Sequence, residues 1–198
     1  MALKAYFIQY KFILPESIKH SEYTYQKLFR ALYGYTQNVT KSNGKTYVYH
    51  RKGVLSDAPY LRVGKNSVVI HPSVFSKLKS FFNTGNNPTH KWNIKGDWKA
   101  VYYMDEKDVD EIKAAKALEE MLERFYVPNA EKGHEKLTSE MNIVIAKSKN
   151  NESVDANYKK HLVDTASQIS QMDWFKTCAT KSTILVEFNE KLKHLKSL

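Results

Sequence analysis

Residues 41–65 gather the side chains best suited to recognising a polyanion. Lys41, Lys45, Arg51, Lys52, Arg62 and Lys65 stand against a single acid, Asp57, with Tyr47, Tyr49, His50 and Tyr60 interleaved among them. Cations of this kind meet phosphates, while ring faces stack on unpaired bases. A basic loop between two strands can track a phosphate backbone and bring its tyrosines to bases or sugars. The competing structural explanation is a solvated hairpin whose lysines blunt a sheet edge and whose tyrosines face the core.

Four histidines, His20, His50, His71 and His90, accompany these cations. A histidine among lysines suits metal-independent RNA cleavage, because nearby positive charge favours the neutral imidazole that accepts a 2′-hydroxyl proton. His50, flanked by Tyr49, Arg51 and Lys52, is the candidate general acid or base, with Arg51 or Lys52 stabilising the phosphorane. His50 as one more surface or phosphate contact is the plainer alternative. His71 precedes Pro72 at a helix start, which accounts for it locally; His20 and His90 carry no comparable argument.

Metal-dependent chemistry has weaker signals. Glu111-Ile112-Lys113 matches the Glu-x-Lys element of a nuclease core, with Asp105, Asp108 and Asp110 upstream. That chemistry needs carboxylates on or beside a strand, whereas this segment is expected to open a helix whose dipole favours acids. No His-x-His pair, phosphate-binding loop, dinucleotide glycine pattern, His-Glu-x-x-His or Gly-x-Ser-x-Gly occurs. No metal and no cofactor is expected. Trp92, Trp98, Tyr102 and Tyr103 are expected to pack at a core boundary more than to stack on bases. Cys178, the single cysteine, excludes an intrachain disulfide and reads as a buried small hydrophobe.

The charge is unevenly divided. Residues 1–105 hold 16 of the 31 Lys and Arg but only five of the 21 acids, so this half is near +11 while residues 106–198 are near −1. Eleven of the 13 tyrosines fall in the same half. Edge protection requires a few charges, not a surplus of this size, so the imbalance favours an anion-facing surface.

The elements that must position these groups follow from periodicity. Residues 4–14 form a strand signal ended by Pro15, and Tyr25, Leu28, Phe29, Leu32 and Tyr33 make a helical stripe that stops at Gly34. Asn43-Gly44 marks a turn before strands at 45–50 and 62–70. Pro72 and Ser73 open a second helix carrying Val74, Phe75, Leu78, Phe81 and Phe82, and a last strand region covers 91–104. This βαββαβ order resembles the ferredoxin-like superfold, which implies an α+β domain with both helices on one sheet face and the other face free.

Beyond residue 105 apolar residues recur at helical spacing around 109–125, 154–172 and 184–195. Residues 137–145 are compatible with helix or strand, and 129–133 read as a loop. The expected organisation is a basic ferredoxin-like α+β domain over 1–105 and a mainly helical region over 106–198 that braces it or mediates homo-oligomer assembly. No stretch is long and apolar enough to span a bilayer, and the lack of a cleavage pattern after residue 14 favours an intracellular, cytoplasmic or nucleoid-associated address. The leading expectation is therefore a nucleic-acid-binding protein, DNA or RNA, with no membrane partner. An endoribonuclease using His50 and a docking module for an acidic protein are the alternatives.

Overall fold

The computed structural model describes residues 2–19, 23–87, 92–93 and 98–198; His20 and His90 lie outside them. The chain is of mixed α and β structure and divides into two compact units, Ala2–Gln37 with Tyr49–Val109 and Asn38–Val48 with Asp110–Leu198.

The first unit is built on β1 (Leu3–Ile13), α1 (Tyr23–Tyr33), β4 (Tyr60–Gly64), β5 (Ser67–Ile70), α2 (Phe75–Thr84), the short β6 (Asn86–Asn87) and β7 (Trp92–Asn93), and β8 (Lys99–Val109). Four strands form one sheet in the order β4-β5-β1-β8, every adjacent pair antiparallel. Ile8, Tyr10 and Phe12 of β1 share one face by the two-residue period of a strand and are buried. They meet Leu28 and Leu32 of α1 and Leu78, Phe81 and Phe82 of α2 in one core. Phe12 contacts Phe29, Phe81, Phe82 and Trp98 edge-on, with ring centroids 5.4 to 6.4 Å apart, an arrangement that adds to the roughly 1.5–3 kcal/mol of burying each such side chain.

The expected strand at 45–50 does not join this sheet. It is β3 (Thr46–Arg51), which pairs with β2 (Tyr35–Thr40) in a separate two-stranded ribbon. β2 escapes sequence reading because Thr36, Gln37, Asn38 and Thr40 give no apolar alternation. The expected strand at 62–70 is two strands, β4 and β5, folded at Asn66, whose φ of 58° is the left-handed conformation that asparagine tolerates. The last strand runs to Val109, so Asp105 to Asp108 lie in a ladder and not in the first turn of a helix. Lys4, on the partner strand, compensates them at 2.6 Å from Glu106 and 3.9 Å from Asp108.

The segment between β3 and β4 is not a free loop. Gly53, Val54, Leu55, Ser56, Ala58 and Pro59 are buried. Val54 and Leu55 donate backbone hydrogen bonds to the carbonyls of Ala31 and Leu32, which the end of α1 leaves without helical partners. Gly34, at φ 76°, ends that helix, and its N–H reaches Arg30 O at 2.8 Å.

The second unit contains α3 (Glu111–Glu123), a hairpin of β9 (Tyr126–Asn129) and β10 (Gly133–Lys136), α4 (Leu137–Lys149), α5 (Ala156–Ser170), α6 (Asp173–Cys178) and α7 (Thr183–Ser197). Asp110, Asp155 and Ser182 cap α3, α5 and α7 through their side-chain oxygens. The ambiguous 137–145 segment is helical, and 129–133 is the turn of the β9–β10 hairpin. Leu118, Met121, Leu137, Met141, Leu162, Trp174, Phe175 and Phe188 are buried. Glu140, only 2% exposed, accepts hydrogen bonds from Asn129 Nδ2 and Tyr158 Oη, both at 2.7 Å. The end of the β2–β3 ribbon belongs to this unit: Val48 N donates to Lys132 O at 2.8 Å, and Val48 O accepts from His134 Nδ1 at 3.2 Å. Among the described residues no helix is long and apolar enough to cross a membrane.

Candidate nucleic-acid interface

The ten candidate residues do not share one unit. Lys41, Lys45 and Tyr47 belong with the ribbon end in the second unit, whereas Tyr49, His50, Arg51, Lys52, Tyr60, Arg62 and Lys65 belong to the first. At the ribbon end the turn is closed by Gly44 N to Lys41 O and Lys41 N to Lys45 O, both 2.9 Å, with Gly44 at φ 75°. Lys41 Nζ sits 4.2 Å from the centre of the Tyr47 ring, and Lys41 and Lys45 are both exposed.

In the first unit the candidates fare unequally. Arg51, Arg62 and Lys65 are exposed. Lys52 is bound to Asp57 at 3.1 Å, and Lys77 approaches the other oxygen of the same carboxylate at 3.5 Å, so Lys52 is already partly neutralised. Tyr60 is 4% exposed and packs on Tyr33 at 5.5 Å, so its ring is not presented to solvent. His50 Nδ1 and Thr36 Oγ1 lie 3.1 Å apart across the β2–β3 ribbon, which fixes the imidazole plane. His71 is buried and caps the turn at Pro72–Val74, accepting from Ser73 N at 3.1 Å.

Arg62 leads into a tyrosine cluster. Its guanidinium lies 3.7 Å above the Tyr33 ring, and Tyr33 Oη is 2.8 Å from Tyr10 Oη. Burial raises both phenols above their ordinary range, the mutual hydrogen bond contributing at Tyr10 while Arg62 opposes the shift at both. Tyr10 and Tyr33 are thus neutral packing groups under a surface cation.

The free sheet face is the expected one, but Tyr103, expected at a core boundary, lies exposed on it because cross-strand register turns it away from the helices. β5 pairs with β1 only over residues 6–9, whereas β8 follows β1 to Ile13. Cross-strand register sets Ser67, Gln9 and Tyr103 in one row, Lys11 and Val101 in the next, and Ile13 and Lys99 in the last. Tyr103 is 59% exposed, Val101 58% and Ile13 45%. A cleft of about 490 Å³ opens where β5 stops, lined by Tyr25, Lys11, Lys65, Asn66, Val101 and Tyr103 among others. Period-two alternation marks that face: Gln9 and Lys11 fall between Ile8, Tyr10 and Phe12. Tyr102 and Trp98 do pack inward as expected, Tyr102 stacking on Phe82 at 5.1 Å and Trp98 lying tilted against Phe81 at 5.7 Å.

The Glu-x-Lys element is spent on local pairs. Asp110 caps α3 at Lys113 N and pairs with Lys113 Nζ at 2.9 Å, while Glu111 binds Lys181 at 2.8 Å, a contact that holds its carboxyl down at about 2. Among the described residues no group of three or more His, Cys, Asp or Glu is placed to hold a metal ion. Cys178 is buried, its thiol pushed up by desolvation, with Sγ donating to Glu111 O at 3.4 Å.

Comparison with known proteins finds no matching family model, no similar curated protein and no similar solved structure.

Proposed function

We propose that this chain binds nucleic acid through exposed cations of residues 41–65, with Lys41, Lys45, Arg51, Arg62 and Lys65 on phosphates and Tyr47 and Tyr49 near bases or sugars. The observation that carries the reading is that all five cations are exposed and, among the described residues, no carboxylate forms an ion pair with any of them, while their segment, residues 41–65, holds a single acid, Asp57. Unpaired cations beside a small number of acids keep their attraction for phosphate, and releasing the counterions condensed on that phosphate favours binding. Lys52 and Tyr60 drop to supporting roles.

For the first unit we retain the ferredoxin-like reading. With the β2–β3 ribbon counted as an excursion between α1 and β4, the elements β1, α1, β4, β5, α2 and β8 follow the βαββαβ pattern, which supports it. The helical unit is assigned the bracing or assembly role.

The test is fluorescence anisotropy of labelled single-stranded RNA, single-stranded DNA and duplex DNA across salt, with EDTA present. Five neutralised phosphates give log affinity falling with log salt at a slope of about −4.5 on duplex and about −3.5 on a single strand. A flat slope rejects the proposal and turns attention to an acidic protein partner.

A further inference from the structure

From the outer face of the first unit's sheet we infer a binding surface for single-stranded RNA, with Tyr103 as its stacking platform. The inference rests on the nucleic-acid reading above and names a different surface and a narrower ligand.

Three observations converge on it. Tyr103, Val101 and Ile13 expose half or more of their surface, or nearly so, on adjacent antiparallel strands. Isolated apolar residues on a surface need no explanation, but a contiguous aromatic and aliphatic patch on an open sheet does. The cations Lys11 and Lys99 lie within the same rows, and Lys65 borders the adjoining cleft. Among the described residues no acid occupies the rows from Gln9 to Ile13 on this face; the nearest on the ladder, Asp105, is 3.9 Å from Lys107. Successive same-face positions on a strand are about 6.8 Å apart, so phosphate-seeking and base-seeking groups recur at close intervals across the patch.

This composition selects among polyanions. A duplex hides its base faces and would leave Tyr103 and Val101 wet or desolvated against sugar. An acidic protein segment would satisfy the lysines but has no flat π-face to offer Tyr103. An unpaired strand supplies both a phosphate and a base face at each step. RNA is favoured because Gln9, directly across from Tyr103 on the neighbouring strand, sets a neutral amide beside the stacking ring, where a 2′-hydroxyl can donate and accept. The cleft of about 490 Å³ beside Tyr25 and Asn66 gives a flanking base room to enter.

The experiment uses the full chain and a 12-nucleotide RNA, the matching DNA strand and the RNA duplex. Tyr103→Ala should weaken single-strand RNA binding by about 5- to 150-fold, the range of one lost base stack, with the salt slope unchanged. Tyr103→Phe, which keeps the ring, should bind as the parent does. Lys11→Ala should instead lower the slope by about 0.7. On the unaltered protein, photocrosslinking with 4-thiouridine RNA should label the tryptic peptide Ala100–Lys107, a readout that needs no variant to fold. Binding that survives Tyr103→Ala, a duplex bound as tightly as the single strand, or crosslinks confined to other peptides would overturn the inference while leaving nucleic-acid binding intact. Single-stranded DNA bound as tightly as RNA would overturn the assignment to RNA. Absence of binding in every arm at low salt would overturn both.

Discussion

Gly34 and Gly53 lie back to back, so closely that a Cβ on Gly53 would stand 2.1 Å from Gly34 N and 2.6 Å from the Tyr33 carbonyl carbon. The contact is backbone against backbone, so no side chain can rotate away to relieve it. It fastens the buried 53–59 segment to the end of α1 and thereby sets where β3 stops and β4 begins. Gly53→Ala is expected to cost more than the ordinary overpacking range of about 1–3 kcal/mol. Gly44→Ala, where nothing lies within 4 Å but φ is 75°, should cost only the left-handed penalty of about 1–2 kcal/mol. Urea denaturation of the two variants checks the ranking, and equal losses would contradict the close approach.

Glu140 is a buried carboxylate satisfied by Asn129 and Tyr158. Removing the Tyr158 hydroxyl with Tyr158→Phe withdraws one of its two donors and should destabilise the chain by about 1.5–3 kcal/mol, the range for hydrogen bonds to charged groups. Glu140→Gln should recover part of the loss in that background, since the neutral amide needs less compensation. A double-mutant cycle reads the coupling, and additive losses would show that the two groups act independently.

Tyr10, Tyr33 and Tyr158 all have phenols raised by burial. The unfolded chain loses these protons near pH 10 while the folded chain keeps them. The unfolded state therefore binds fewer protons above that pH, and stability, fully present below about pH 10, falls as pH rises further. Tyrosinate absorbance followed through an alkaline titration should show these three groups ionising only with loss of structure. Smooth ionisation of all 13 tyrosines in a folded chain would refute it.

Lys52 and Lys65 are both lysines of the basic segment, but Asp57 holds one and among the described residues no carboxylate pairs with the other. Lys65→Ala should lower the salt slope on single strands by about 0.7, whereas Lys52→Ala should leave it nearly unchanged. The reverse order would move the anion path to the Asp57 side of the unit.

His50, braced by Thr36, offers the remaining chemical alternative. Under the binding proposal RNA incubated with the protein in EDTA stays intact, and His50→Ala changes affinity by a small factor only. Cleavage in EDTA that disappears in His50→Ala would instead establish the ribonuclease mechanism and the imidazole as its proton-transfer group.

The sequence by itself determined what depends on local period and composition. The stripes of Leu28, Leu32, Leu78 and Phe81 specify helices because 3.6-residue spacing buries one face, and β1 is readable because Ile8, Tyr10 and Phe12 alternate with Gln9 and Lys11. The excess of cations over the first 105 residues is likewise a matter of counting. Tertiary structure alone decided partnership. Thr46–Arg51 pairs with the polar Tyr35–Thr40 because its ladder bonds are backbone bonds, which leave no mark in side-chain type. Tyr60 is buried while Tyr103 is exposed because cross-strand register, set by contacts far apart in sequence, assigns each to a face. Lys52 is neutralised and Lys65 is not because only the folded chain brings a carboxylate within reach of one of them. Charge and period are written residue by residue; pairing and exposure are properties of distances that exist only after folding.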